Sequence, residues 1–411
     1  MLMKYIKKPS VELCGPEKFG TGLIAIMKRE LFCLQNNIYL LLIVFFAPMI
    51  YPFLYGSVYF NKMERDIPIA VVDLDQSSES WTLARHLDAS EMIAVYDKSK
   101  NVAPAYELLK EMKVMAIVII PEGYHNKLTT GQQAVLSVSV NNTRFLIASD
   151  ISKGLTEVIA SLSNQICVKD LQKTGYSNEQ AKSLSEPVVP LITFAYNTTE
   201  SYGDFIIVAL LLMILQQSLM IGVAVSMSGE REWKSLPSLL TMANNSPMKL
   251  MIGKTGFYFI LYSVYALFYY TFHFSFYSLP LNGSVPALVA FTGLHLLTII
   301  MIALCLSSFC KSRLMAINAF LFSSFPIFML SGYSWPLQSL PKPLLLLTQL
   351  IPTTPYLKGY AVLTQMNGSW ADVAPQFLHL GILCVTAFIF CTLRINNLLQ
   401  TSRTNAVHGL I

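Results

Sequence analysis

Where charge is absent decides what this chain can fold into. Six stretches of the 411-residue sequence are long and apolar enough to cross a bilayer, and none carries Asp, Glu, Lys or Arg in its core. A hydrocarbon layer about 30 Å thick takes about 20 residues of helix, and it tolerates only backbone whose hydrogen bonds close internally. The spans are expected at residues 38–60, 205–227, 251–277, 285–309, 314–330 and 376–393, with Pro48 and Pro52 inside the first. Charged residues make up 13% of the chain, against about 25% in a soluble domain. A polar insert, residues 61–204, separates the first span from the other five. The expected fold is an α-helical polytopic membrane protein of six transmembrane helices plus a re-entrant hairpin, with an inserted extracytoplasmic α/β domain.

Charge-free spans lack the carboxylates of an ion-coupled carrier or proton relay. His273, His295 and His379 fall in the spans without a carboxylate on the same span, which favours structural or interfacial roles. No GxSxG or HExxH pattern points to an enzyme. Gly253-Lys254-Thr255 looks like the end of a phosphate-binding loop, but Met248 occupies the position that needs glycine and no strand leads in. The net charge of +5 sits at span ends and forms no clustered basic face for nucleic acid. Of seven cysteines only Cys167 lies in the insert, so the cysteines read as small apolar fillers and no zinc spacing appears.

Basic residues also give an orientation. Lys4, Lys7, Lys8, Lys18, Lys28 and Arg29 precede span one. Arg231, Lys234, Lys249 and Lys254 follow span two, Lys311 and Arg313 follow span four, and Arg394 and Arg403 follow span six. The positive-inside rule then predicts both termini in the cytoplasm (1–37 and 396–411) and the insert outside. From Phe19, apolar residues recur at Leu23, Ile26, Met27, Leu31 and Leu34 around Lys28, Arg29 and Glu30, which predicts a helix lying in the membrane interface.

The insert alternates strand and helix patterns. Ile67–Val72, Met92–Tyr96, Val114–Ile120 and Ala134–Val140 read as strands. Ser77 caps a helix bearing Trp81, Ala84 and Leu87, and Asn101 opens one with Val102, Tyr106, Leu109 and Met112 on one face. A long helix carries Ile147, Ile151, Leu155, Val158, Leu162 and Ile166. Asp73, Asp75 and Glu79 read as turn and capping carboxylates, because an EF-hand loop needs more acidic positions and a central glycine.

After span two, Glu230, Arg231 and Glu232 precede an apolar edge of Leu236, Leu239 and Leu240, which predicts a short amphipathic helix within 228–245. The aromatic run from Phe257 to Phe274 reads as lipid-facing and interfacial rather than as a cargo path. Leu340–Ile351 is too short to span and is bounded by Pro336, Pro341, Pro343, Pro352 and Pro355, so residues 336–356 read as a re-entrant or interfacial hairpin.

These features in this order resemble the ABC-2 type permeases, the membrane subunits of ATP-binding-cassette exporters. The matching residues are Asp73 and Asp75 after the first strand, then Glu230, Arg231, Glu232, Leu239, Leu240, Pro247, Gly253 and Lys254. The Ser331-Gly332, Pro336, Pro341 and Pro352-Thr353-Thr354-Pro355 stretch matches as well. Trp233, Lys234, Ser235 and Ser246 depart from the family pattern.

The resemblance implies a permease that is not itself an enzyme and that pairs with a second, identical or related, permease in a bacterial inner membrane. It implies that Glu230 to Leu240 couple to a cytosolic ATPase, which binds ATP-Mg, so this chain carries no cofactor. The cargo would be amphipathic, lipid-like or drug-like. Membrane lipids are implied partners, and contact with a periplasmic adaptor is left open. The alternative is a membrane-anchored sensor or scaffold whose outer domain binds a ligand or an envelope partner.

Overall fold

A computed structural model of the protein describes residues 16–60, 64–190, 192–197 and 201–407. Cys14, Lys4, Lys7 and Lys8 lie outside the described residues. The chain divides into two units, 1–60 with 194–411 and 61–193.

Helix α1 (Leu23–Gln35) buries Ala25, Ile26 and Leu34, and with them Arg29 and Glu30. Leu23, Ile24 and Leu31 point outward, beside exposed Lys28. Its polar face is therefore not a uniformly solvated one, and the reason lies in the site described below. The chain turns at Asn36 and Asn37 into α2 (Ile38–Val58), the first candidate span. Six helices among the described residues have the length and apolarity to cross a membrane.

The insert builds a four-stranded sheet from β1 (Ile67–Asp73), α3 (Ser78–Asp88), β2 (Ile93–Ser99), α4 (Val102–Lys110), β3 (Ala116–Ile120), α5 (Tyr124–Thr129) and β4 (Ser137–Val140), followed by α6 (Phe145–Lys173) and α7 (Asn178–Ser185). Strand order is β2-β1-β3-β4. β1 runs parallel to both neighbours, and β4 closes the edge antiparallel to β3. β1 and β3 are almost continuously apolar because both faces of the sheet are covered. Ile69, Val71 and Val118 join Leu83, Leu87, Ile151 and Leu155 on one face, and Ala70, Val72 and Ile117 join Ala105 on the other. A Ser77–Ser80 capping box starts α3. Trp81 is 61% exposed, while Leu83, Ala84 and Leu87 point inward. Met112 lies beyond the end of α4 in left-handed backbone and is exposed.

The remaining helices are α8 (Tyr202–Glu232), α9 (Leu236–Met242), α10 (Pro247–Phe276), α11 (Val285–Ser307), α12 (Arg313–Leu330), α13 (Lys342–Thr348), α14 (Thr353–Thr364) and α15 (Trp370–Val407). α8 is the axis of the bundle, with 83% of its apolar window buried, against 17% for α12 and α15. No single helix covers 228–245: α8 continues through Glu232, the backbone turns left-handed at Lys234, and α9 restarts at Leu236. α13 has seven residues, about 10 Å of helix, too short to cross. α14 extends past residue 356 and buries Tyr356, Leu357, Tyr360 and Leu363. Gly332 holds φ +82°, and a Cβ there would strike Leu337.

The prolines of α2 explain how it meets α10. Pro52 has no N–H to give the carbonyl of Pro48, four residues earlier, and hydrocarbon supplies no substitute donor. The Tyr269 hydroxyl donates to that carbonyl at 2.5 Å. One helical turn to either side, Tyr265 donates to the Phe45 carbonyl at 3.4 Å and His273 Nε2 to the Pro52 carbonyl at 2.9 Å. Tyr277 reaches the Phe53 carbonyl at 3.1 Å. Each helix has a π-turn in this stretch, at Leu42–Phe46 and Tyr269–His273. The buried tyrosines of α10 thus face inward to another helix, which corrects the lipid-facing reading for Tyr258, Tyr262, Tyr265 and Tyr269.

Gly56 completes the contact, because a Cβ built there lies 2.4 Å from Tyr277 Cζ. Gly56→Ala is expected to destabilise the chain by about 1–3 kcal/mol by overpacking. Thermal unfolding in detergent should show a lowered Tm, partly restored by adding Tyr277→Ala. A Tm equal to that of the parent would refute the contact.

Candidate functional site

At the end of the bundle where α8 stops and α10 starts, four charged side chains are buried together. Arg29 and Glu30 come from α1, Glu230 from α8 and Lys254 from α10, and none is more than 4% exposed. Arg29 meets Glu230 with a two-pronged pair, Nη1 to Oε1 at 2.6 Å and Nη2 to Oε2 at 2.9 Å. Lys254 Nζ donates to Glu30 Oε1 at 2.5 Å, to Ser226 Oγ at 2.6 Å and to Glu230 Oε1 at 3.4 Å. The Ser226 hydroxyl donates in turn to Glu30 Oε2 at 2.6 Å, and Ser235 donates to Glu230 Oε2 at 2.5 Å.

Lys254 therefore has three acceptors for its three ammonium protons, and every carboxylate oxygen of Glu30 and Glu230 accepts at least one hydrogen bond. Two cations and two anions sum to zero. This is the condition under which charge can be taken out of water, since an unmatched buried ion costs several kcal/mol. Burial alone would favour neutral Arg29, but the adjacent Glu230 carboxylate outweighs it and holds the guanidinium pKa above its ordinary value.

Gly253 makes the approach possible. A Cβ there would sit 2.9 Å from the Ile26 side chain, so only glycine lets α1 lie this close to α10. Gly253 and Lys254 belong to helix α10, not to a phosphate-binding loop. The sequence reading took Lys254 as a topology signal and a match to the family pattern, noted Ser235 only as a departure from that pattern, and did not single out Ser226. The usable signal was a lysine entering an apolar helix beside glycine, with two glutamates available on neighbouring elements.

The triplet Glu230-Arg231-Glu232 divides its side chains among three neighbours. Glu230 turns inward to Arg29 and Lys254. Arg231 donates to the carbonyls of Ser308 and Cys310 at 2.5 and 3.0 Å, capping the end of α11, where the helix dipole favours a cation. Glu232 accepts the Arg313 backbone N–H at 2.8 Å at the start of α12, and the same guanidinium lies 4.4 Å from the Trp233 ring centroid. Each residue is engaged within the chain.

Helix α9 has two unlike faces. Leu236, Leu239, Leu240 and Met242 are buried, and the Gly22 N–H bonds the Met242 carbonyl at 2.8 Å, so α9 is joined to the start of α1. Pro237, Thr241, Asn244 and Asn245, with Lys234 before them, are exposed. The apolar edge expected to contact a partner faces the bundle, and the outward face is polar.

The other sequence candidates have local roles. Asp73 accepts from the backbone N–H groups of Asp75 and Gln76 and from Ser80, and Asp75 from that of His125. Among the described residues no cluster of His, Cys, Asp or Glu is placed to hold a metal ion. His295 stacks on Tyr356 at 3.7 Å, and His379 Nε2 donates to the Gln349 carbonyl at 2.8 Å. Pro341 precedes α13, Pro352 precedes α14, and Pro355 lies buried in α14's first turn.

Removing one member of the buried cluster strands an ion. Glu230→Ala and Arg29→Ala are each expected to destabilise the protein by about 3–5 kcal/mol. The double variant should lose less than the sum, with a coupling of about 1–3 kcal/mol. Strict additivity in thermal unfolding would contradict the pairing.

The ABC-2 family transporter protein family matches residues 38–394. The chain is 26% identical over 288 residues to the probable multidrug ABC transporter permease YbhR of Escherichia coli K12, covering 69% of this chain and 74% of that one. It is 24% identical over 371 residues to the linearmycin resistance permease protein LnrN of Bacillus subtilis 168, covering 85% and 91%. No solved structure matches. With spans, sequence match and relatives in agreement, the chain belongs to the ABC-2 transporter family, whose members are integral membrane permease subunits that rely on a separate ATP-binding-cassette partner.

Proposed function

We propose that this chain is the permease of an exporter that moves an amphipathic, lipid-like or drug-like molecule outward from the cytoplasm or inner leaflet. The printed names of its relatives, multidrug and linearmycin resistance permeases, support that cargo class. Two permeases, identical or related, would face each other, each with a cytosolic ATPase beneath it. The bacterial inner membrane is the proposed location, with both termini cytoplasmic and the 61–204 insert outside; the distribution of basic residues supports this orientation. The segment from Pro336 to Tyr356 would dip into the membrane from the outer side.

The observation that carries the reading is the two-faced α9. Its outward side, Pro237 and Thr241, is exposed together with the flanking Lys234, Asn244 and Asn245 and would seat in an ATPase groove. Its leucine side is fixed to α1, α10 and α15. The cluster of Arg29, Glu30, Glu230 and Lys254 fastens α1 to α8 and α10. A push on α9 would therefore move the helix ends together. The contact surface in this reading is the outward face of α9, and Glu230, Leu236, Leu239 and Leu240 act behind it.

Lys234→Glu with Thr241→Glu is expected to cut transport-coupled ATP turnover about tenfold in reconstituted vesicles. Tm should stay unchanged, and ATPase copurification in mild detergent should weaken. Unchanged turnover and copurification in a folded double variant would reject the assignment.

A further inference from the structure

A cavity of about 370 Å³ lies between α8, α11, α12 and the turn joining α13 to α14. That is within the range of sites for drug-sized molecules, about 300–1,000 Å³. Met220, Ile299 and Phe320 represent its wall, which contains no charged residue. The polar side chains of the wall are Gln216, Ser323 and Thr353, and Gln216 is only 2% exposed. The Thr353 hydroxyl donates to the Gln216 amide oxygen at 2.8 Å, which orients the amide. The amide nitrogen has two N–H groups, and its hydrogen-bond partner among the described residues is the Met220 thioether at 3.9 Å. A thioether is a weak acceptor. The wall thus holds a fixed donor with unused capacity in apolar surroundings.

We propose that this cavity binds a neutral, mainly apolar molecule that presents one carbonyl oxygen to the Gln216 amide. The uncharged wall disfavours an ion, since nothing in it would compensate the charge. The amide disfavours a pure hydrocarbon, which would leave the donor unused. Esters and amides have the required acceptor, and they can come from bilayer lipid or from exported cargo. The inference does not depend on the α9 reading, because binding to the isolated chain requires no ATPase.

The test uses the full chain in lipid nanodiscs and two photoprobes with the same aryl-diazirine core, methyl 4-[3-(trifluoromethyl)-3H-diazirin-3-yl]benzoate and its ester-free analogue 3-(4-propylphenyl)-3-(trifluoromethyl)-3H-diazirine, whose propyl group approximates the size of the ester. Labelled peptides are mapped by mass spectrometry over a concentration series. The ester probe should label α8, α11 and α12 saturably. Gln216→Leu should raise its half-saturation about tenfold, the loss of one buried hydrogen bond, and leave the ester-free probe unaffected.

Ser323→Phe, which fills the cavity from α12, should abolish labelling by both probes. Non-saturable labelling, or equal labelling of parent and Gln216→Leu by the ester probe, overturns the proposal. If Gln216→Leu does not fold, labelling that persists in Ser323→Phe overturns it and labelling that disappears supports it. Nanodiscs of ether-linked lipid separate the two sources. Stronger ester-probe labelling there than in ester-lipid discs assigns the site to bilayer lipid, and equal labelling assigns it to cargo.

Discussion

The fold at one end of this bundle depends on the neutrality of a buried set of four charges. Arg29, Glu30, Glu230 and Lys254 are tolerated away from water only together, because each alone would be an unmatched ion. They sit on three separate helices, so the set is complete only when α1, α8 and α10 are in register. Apolar packing alone would leave that register loose, since leucine against leucine slides at little cost. The two-pronged Arg29–Glu230 pair cannot slide without breaking two short hydrogen bonds. Gly253 and Ser226 are small for the same reason, one to admit Ile26 and the other to bridge Lys254 and Glu30.

A different device holds α2, and it follows from two prolines. Prolines in a span would normally leave carbonyls without donors in hydrocarbon. Here the Tyr269 hydroxyl supplies a donor to the Pro48 carbonyl, and Tyr265, His273 and Tyr277 add bonds to the carbonyls of Phe45, Pro52 and Phe53 at neighbouring turns. At Pro48 a bond between two helices stands in for one inside a helix. α2 is therefore tied to α10 through directional contacts, while most of its outer surface stays apolar and exposed. α1 leads into α2 through only Asn36 and Asn37, so a displacement of α1 has a short route into the first span.

Six apolar helices were legible in the sequence, because apolar length against bilayer thickness is a strong local signal, but their ends were not: α8 runs on to Glu232 and α15 already starts at Trp370. The helix start at Ser77 was likewise carried by local capping chemistry. The buried cluster was not legible. Glu230 is 201 residues from Arg29 and 24 from Lys254, and nothing local says that charges at a span boundary point inward rather than to water. The same limit explains α9. Its leucine edge reads equally well as a surface for a partner or as a face for the core, and only the packing of α1 and α15 decides between them. The α10 tyrosines were misplaced because aromatic residues suit both lipid and protein neighbours.

Charge-free spans and a charge-rich boundary belong to one argument. The family relies on a separate ATP-binding-cassette partner, so work enters at a surface, and in the proposed exporter it would enter through something stiff. A loose loop would absorb displacement in its own backbone. α9 instead is short, pinned by buried leucines and by the Gly22–Met242 bond, and followed directly by α10, in which Lys254 is already committed to the cluster. In the proposed exporter, stiffness at this point matters more than affinity for the motor. A partner needs only a modest polar contact if the element it touches cannot move without carrying α1, α8 and α10 along.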